Sequence, residues 1–281
     1  MYTLYFALGV SLFVALVPML FGVSPGWTVL PGVLIGIAVF IFANRRMAKR
    51  IEAVTQAADA EMAVLQQIAQ RPGPNTAAAM AVRFDKAIEL LQRGFVFHKW
   101  QLGAGMMLNA RIGTLMFTRW LVMQQMPGAR GQGSLADAIP YLDRARPKGR
   151  KAQLLQALWP AWAMLAVAHY KGKKDLDAAV SVLEDSVKVA KKQGLLWSLY
   201  AWILWTEERL DEAISVLARG RIGAPDDKVL AENLNALQNR KKMNMRGYGE
   251  QWLQFGLERP KGMQTQAQMG HPRMRGGMRR R

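Results

Sequence analysis

The chain has 281 residues, no cysteine, a formal net charge of +18 and a sequence pI near 10.5. Disulfide frameworks and thiolate metal sites are therefore excluded. The charge is unevenly placed: residues 45–240 hold 28 Lys and Arg against 18 Asp and Glu, residues 241–281 hold 10 against 2, and residues 1–44 hold no Asp, Glu, Lys, Arg or His.

Within the first 44 residues, Thr3 to Phe21 and Trp27 to Ala43 form two apolar runs. At 1.5 Å rise per residue, about 20 residues cross a hydrocarbon core of roughly 30 Å, and the second run lies at the short end of that range. Ser24-Pro25-Gly26 between them reads as a tight turn in which Gly takes positive φ. The pair is predicted to be a transmembrane hairpin with both ends on one side. Arg45, Arg46, Lys49 and Arg50 follow at once, and cations beside a span mark the cytoplasmic side. Trp27 suits the far interface, Tyr2 and Tyr5 the near one. The amino terminus lacks the basic start and the small-residue cleavage site of a signal peptide, so the runs are expected to be retained. Small residues recur four apart as Ala7, Ser11 and Ala15 and as Gly32 and Gly36. Such ridges let helices approach closely in lipid, within one hairpin or between two copies.

Beyond the cations, Met47 to Gln70 continues the second run as an Ala-rich helix. Arg71-Pro72-Gly73-Pro74 ends it, and Asn75 is predicted to cap the next helix. Phe84, Ala87, Leu91 and Gly94 mark one apolar helix face. Trp100 to Met126 is predicted to be mostly helical, with Gly103 and Gly105 weakening its start. Residues 128–133 form a Gly-rich loop before Leu135, Ala138, Leu142 and Ala145 repeat the helix pattern. Farther on, Leu176, Ala179 and Leu183 return as Leu210, Ala213 and Leu217, each 34 residues later. A fixed offset between helix-spaced apolar positions indicates a repeated helix pair. A small Ala at the crossing lets helices approach while the Leu residues fill the groove. Asp227 to Arg240 reads as a polar-faced closing helix.

In the later copy, Trp197, Tyr200, Ala201 and Leu204 line a first helix, followed by Leu210, Ala213, Leu217, Gly220 and Pro225. This resembles the tetratricopeptide repeat, with Ala201 where Gly is usual and Leu204 where Tyr is usual. The earlier copy keeps Tyr170, Leu176, Ala179, Leu183 and Ser186, has Ala163 where Trp would stand, and lacks the closing Pro. The resemblance covers about residues 75 to 240. It implies an α-solenoid whose first helices line a concave peptide-binding face, on which Leu195, Ser198, Trp202 and Trp205 would lie. An apolar face with two indoles favours an amphipathic helix or peptide as ligand.

Little in the sequence carries chemistry. His98, His169 and His271 each stand apart from any second ligand at metal spacing, and His169 reads as a hydrogen-bonded core residue. The loop at 128–133 lacks the Gly-Lys pair of a phosphate-binding loop. Glu207-Glu208 and Asp226-Asp227 suit helix ends, the latter pair a helix start. No enzyme activity and no cofactor is expected. Arg144, Arg146, Lys148, Arg150 and Lys151 crowd one loop, and Arg279, Arg280 and Arg281 end a Gly-, Met- and Arg-rich tail. Cations near an anionic leaflet contribute about 1 kcal/mol each; nucleic acid is the competing ligand. Tyr248, Trp252 and Phe255 recur at helical spacing within that tail, so this piece is expected to dock on the repeats or on a partner.

The expected architecture is all-α. It comprises a transmembrane hairpin (1–44), a juxtamembrane helix and linker (45–74), a tetratricopeptide-like solenoid (75–240) and a disordered basic tail (241–281). The expected role is a scaffold that recruits or assembles proteins at the cytoplasmic face of a bacterial inner membrane, with both termini cytoplasmic. The alternative is a tether for nucleic acid or ribosomes through the tail.

Overall fold

Pro25 is the residue that organises the start of the chain. The computed structural model describes residues 2–258, apart from 72, 74, 101, 102, 127, 128, 130–132 and 147–155. In it, α1 (Tyr2–Leu20) ends near Pro18, and α2 (Pro25–Gln70) begins with Pro25 in its first turn and Ser24 at the N-cap. Proline favours the first helical position because its fixed φ suits the helix and its missing N–H is not needed there. The predicted turn is corrected accordingly. Pro25 and Gly26 are already helical, and the reversal falls at residues 21–24, where Gly22 carries φ +81°.

α2 is a single helix of 46 residues, so no break separates the apolar run from the segment beyond the cations. Its buried residues change spacing along its length. Thr28, Gly32 and Gly36 are four apart; Ile51, Ala58 and Leu65 are seven apart. The first set faces α1. In the second, Ala58 and Leu65 pack on α3 (Thr76–Arg93) and α4 (Ala104–Gln125), where Ala58 meets Ala87, Ile88, Leu91, Leu108 and Ile112, and Leu65 meets Met80, Phe84 and Met123. The windows of α1 and α2 long and apolar enough to cross a membrane have mean hydropathy 2.1, yet only 11% and 17% of them is buried. A core helix would bury most of such surface.

Asn75 stands at the N-cap of α3 but forms no side-chain cap; its φ −103°, ψ 12° is not the extended backbone that cap requires. Thr76 instead closes the turn before the helix, its hydroxyl accepting from the Gly73 N–H at 2.6 Å and donating to the Gly73 carbonyl at 2.8 Å. Gly103, at φ +80°, allows the sharp entry to α4.

The same unit, residues 1–190, continues through α5 (Leu135–Arg144), α6 (Trp159–Val167), a π-helical turn (Ala168–Lys173) and α7 (Leu176–Val189). Ser134 and Asp175 cap α5 and α7 by accepting from Ala136 and Ala178 N–H groups. Ala138, Leu142, Ala145, Ala179 and Leu183 are all buried.

A second compact unit, residues 191–281, contains α8 (Gly194–Thr206), α9 (Leu210–Gly223), α10 (Lys228–Gln238) and a short α11 (Glu250–Leu253). α8 is apolar on every side and is covered accordingly. It packs on α9 and α10. Ala213 and Leu217 are fully buried, and a Cβ added at Gly220 would lie 2.9 Å from Trp197. Small residues therefore sit where helices cross, as the spacing predicts. Among the described residues the fold is helical throughout, with no strand.

The predicted boundary at 240/241 is corrected. Met243, Met245, Trp252 and Phe255 are buried, so residues 241–258 complete the second unit rather than trailing from it. Four large apolar side chains in this short stretch supply the burial that the basic remainder lacks. Residues 259–281, with Arg279, Arg280 and Arg281, lie outside the described residues.

Candidate functional site

Two regions bring the predicted site residues together, one in each unit. In the first, Ala7, Ser11 and Ala15 face Gly32 and Gly36. A Cβ at Gly32 would lie 2.9 Å from the Ser11 carbonyl oxygen and 3.0 Å from Ala15 Cβ. At Gly36 it would lie 2.6 Å from Ser11 Cβ. The small residues thus form the seam inside the hairpin, the first of the two arrangements their spacing allows.

Arg45, Arg46, Lys49 and Arg50 are exposed on α2 directly past that seam. Among the described residues none of the four meets a carboxylate, whereas cations farther along do. Glu61 on α2 accepts from Arg83 at 2.7 Å and pairs with Lys86 at 2.6 Å. These hydrogen bonds, Lys86 first and then Arg83, hold its carboxyl below the ordinary range. Asp59 on α2 pairs with Arg111 on α4 at 3.0 Å. Arg46 borders an apolar crevice lined by Phe6, Phe42, Ala43 and Met47, and the Arg50 guanidinium lies 5.7 Å from the Phe97 ring centroid.

A contact that sequence reasoning missed lies beside this collar. The 3-10 turn Gly94–Phe97 and residues 98–100 return to the start of α1. Tyr2 N–H donates to the Lys99 carbonyl at 2.9 Å, Thr3 Oγ1 donates to the Trp100 carbonyl at 2.6 Å, and the Tyr2 and Trp100 rings meet edge-on at 5.4 Å. The signal was the aromatic and apolar cluster Phe95, Val96, Phe97 and Trp100, which belongs to no helical period.

In the second unit, the predicted partner face is not an open groove. Leu195 and Ser198 are buried, while Trp202 and Trp205 are partly buried. Residues 244–255 lie against this face: the Trp202 and Trp252 rings meet edge-on at 5.4 Å, and Ser198 Oγ lies 2.8 Å from Tyr248 Oη. Tyr248 Oη donates to the Asp227 carboxylate at 3.2 Å, while that carboxylate caps α10 through Leu230 N–H at 2.9 Å. Asn233 Oδ1 accepts from Asn244 N–H at 2.7 Å and fixes the start of the covering segment. Burial first, then the Asp227 carboxylate, raises the Tyr248 phenol well above its ordinary value, with the Ser198 hydrogen bond opposing. Ser198 is fully buried, so the trio fastens three segments rather than presenting a nucleophile.

Tyr248→Phe leaves the Ser198 hydroxyl buried without this partner, an expected loss of about 1–3 kcal/mol. The phenol is neutral in both states below about pH 10, and the unfolded chain ionises first as pH rises. Wild-type stability should therefore fall above about pH 10 with a component absent from Tyr248→Phe. Denaturant unfolding of both proteins at about pH 8 and above about pH 10 measures it.

His169 is corrected in part. It is half-buried, but its Nδ1 is enclosed without a hydrogen-bond partner. Burial, then Lys173, depresses its pKa, which favours the neutral ring. Arg144 and Arg146 are described, and Arg146 pairs with Asp185; Lys148, Arg150, Lys151 and His271 lie outside the described residues. Among the described residues no group of three His, Cys, Asp or Glu could hold a metal ion.

No protein-family model and no curated protein matches this chain.

Proposed function

We propose that the chain is a membrane-anchored helical scaffold that recruits or assembles protein partners at the cytoplasmic face of a bacterial inner membrane. One observation carries this reading: the anchor and the first helical unit share a single helix. α2 runs unbroken from the apolar seam with α1 to the ion pairs of Asp59 and Glu61 with α4 and α3. This continuous connection holds the first helical unit close to the lipid. The four exposed cations at its base then contact anionic headgroups and orient the hairpin with both chain ends inside.

The repeated helix pairs, with small residues at their crossings, support a tetratricopeptide-like solenoid as the platform. Segment 244–255 already lies against the predicted partner face through Trp202 and Ser198, which supports an apolar, aromatic segment as the kind of ligand it takes. A partner carrying a similar apolar, aromatic segment would bind here by displacing residues 244–255.

The test is crosslinking and purification of the full chain from membranes in mild detergent, beside a chain ending at Glu258. Both should retain the same protein partners. Recovery of nucleic acid alone, lost with residues 259–281, would replace the scaffold by the tether. Recovery of neither would reject both.

A further inference from the structure

We propose that residues 94–100 form a second membrane contact, dipping into the headgroup region beside the hairpin and laying this side of the first unit on the leaflet. The proposal rests on the hairpin being embedded in lipid.

The depth of this loop follows from the register of α1 against α2. Ser11 faces Gly36 and Ala15 faces Gly32. Continuing that antiparallel register sets Thr3 opposite Asn44 and Tyr2 opposite Arg45, the level where the charge-free stretch ends. Phe6 sharing its crevice with Phe42 and Ala43 agrees. The loop is tied to this level by the bonds from Tyr2 and Thr3 to the Lys99 and Trp100 carbonyls. Its other end is held by Gly94, where an added Cβ would come within 3.2 Å of Val54 and Leu108.

The chemistry of the tip matches that level. Val96 is 74% exposed and Trp100 36% exposed. Aromatic side chains concentrate at membrane interfaces, where an apolar ring and a polar edge meet different surroundings. Arg50 lies over Phe97 of the tip, Arg45, Arg46 and Lys49 stand exposed just before Arg50 on α2, and Lys99 lies within the tip. An apolar tip fringed by cations suits an anionic lipid surface, where area burial and attraction to headgroups act together.

The absence of cysteine permits a direct test. The full chain carrying Val96→Cys, Phe42→Cys or Val82→Cys is labelled with an environment-sensitive fluorophore and reconstituted in phosphatidylcholine–phosphatidylglycerol vesicles. Each is quenched either by lipids carrying a nitroxide near the headgroup or by aqueous iodide. Phe42 and Val82 are exposed reference positions in the apolar run and on α3. The proposal expects lipid quenching at Val96 comparable with that at Phe42, and iodide quenching at Val82 alone. Iodide quenching at Val96, with Phe42 still quenched by lipid, would overturn the second contact and leave the anchor standing. A Val96 label shielded from both quenchers, with disulfide-linked dimers of Val96→Cys on oxidation, would mean that another copy covers the tip and would also overturn it. Failure of lipid quenching at Phe42 would remove the anchor and this inference together.

Discussion

Trp252→Ala is expected to destabilise the unit spanning residues 191–281 by about 3–5 kcal/mol, the range for deleting a buried aromatic side chain. Trp252 is 1% exposed, and its ring meets Trp202 at 5.4 Å and Phe255 at 6.1 Å. Removing it leaves a cavity at the centre of the covering segment and opens one side of Trp202 to water. Denaturant unfolding followed by tryptophan emission reads both effects, a lower midpoint and a red shift of the native spectrum. Trp252→Phe should cost much less. Its smaller ring loses contacts, but it also eliminates an indole N–H that is buried without an acceptor. Equal losses in the two variants would show that the polar edge matters more than the packing. An unchanged midpoint in Trp252→Ala would show that residues 244–255 do not hold this position.

Gly36→Leu is expected to open the hairpin. The first carbon of the new side chain would already lie 2.6 Å from Ser11 Cβ and 3.0 Å from Ser11 Oγ. The hydroxyl can rotate away, but Cβ cannot, because the backbone of the facing helix fixes it. Over-packing of this kind costs roughly 1–3 kcal/mol or more, and the remaining small-residue contacts along the seam would separate with it. Gly9→Leu is the control, because nothing lies within 4 Å of a Cβ at Gly9. Protease resistance of the hairpin and its unfolding in mixed detergent micelles should fall for Gly36→Leu and stay near wild type for Gly9→Leu. Equal behaviour of the two would contradict the seam.

What could be read from the sequence was periodic. The charge-free stretch, the small residues four apart and the Leu-Ala-Leu triplets each repeat along a helix, and helical spacing converts directly into a buried face. Ala7 with Gly36 and Ala179 with Leu183 were legible for that reason. Contacts between segments distant in sequence were not. Thr3 to Trp100 is a side chain bonding a loop carbonyl 97 residues away, and no local pattern encodes it. Composition misled at the tail only in part: Tyr248, Trp252 and Phe255 at helical spacing were legible as a docking piece, but the basic residues from 241 onward hid Met243 and Met245, whose burial depends on a face formed elsewhere. At the turn, Ser24-Pro25-Gly26 carries the residues of a tight turn, but Pro25 also suits a helix start, and the helix prevailed. Asn75 likewise has the right side chain for a cap but the wrong backbone, and its side chain makes no cap hydrogen bond.

The central claim is that α1 and α2 cross the membrane as a hairpin and leave the helical units inside the cell. Labelling of single cysteines in intact spheroplasts with a membrane-impermeant maleimide tests it most directly. Trp27→Cys, at the exposed tip of the hairpin, should react before lysis, and Val82→Cys, exposed on α3, only after it. Reaction of Val82→Cys in intact spheroplasts, or of Trp27→Cys only after lysis, would contradict the account.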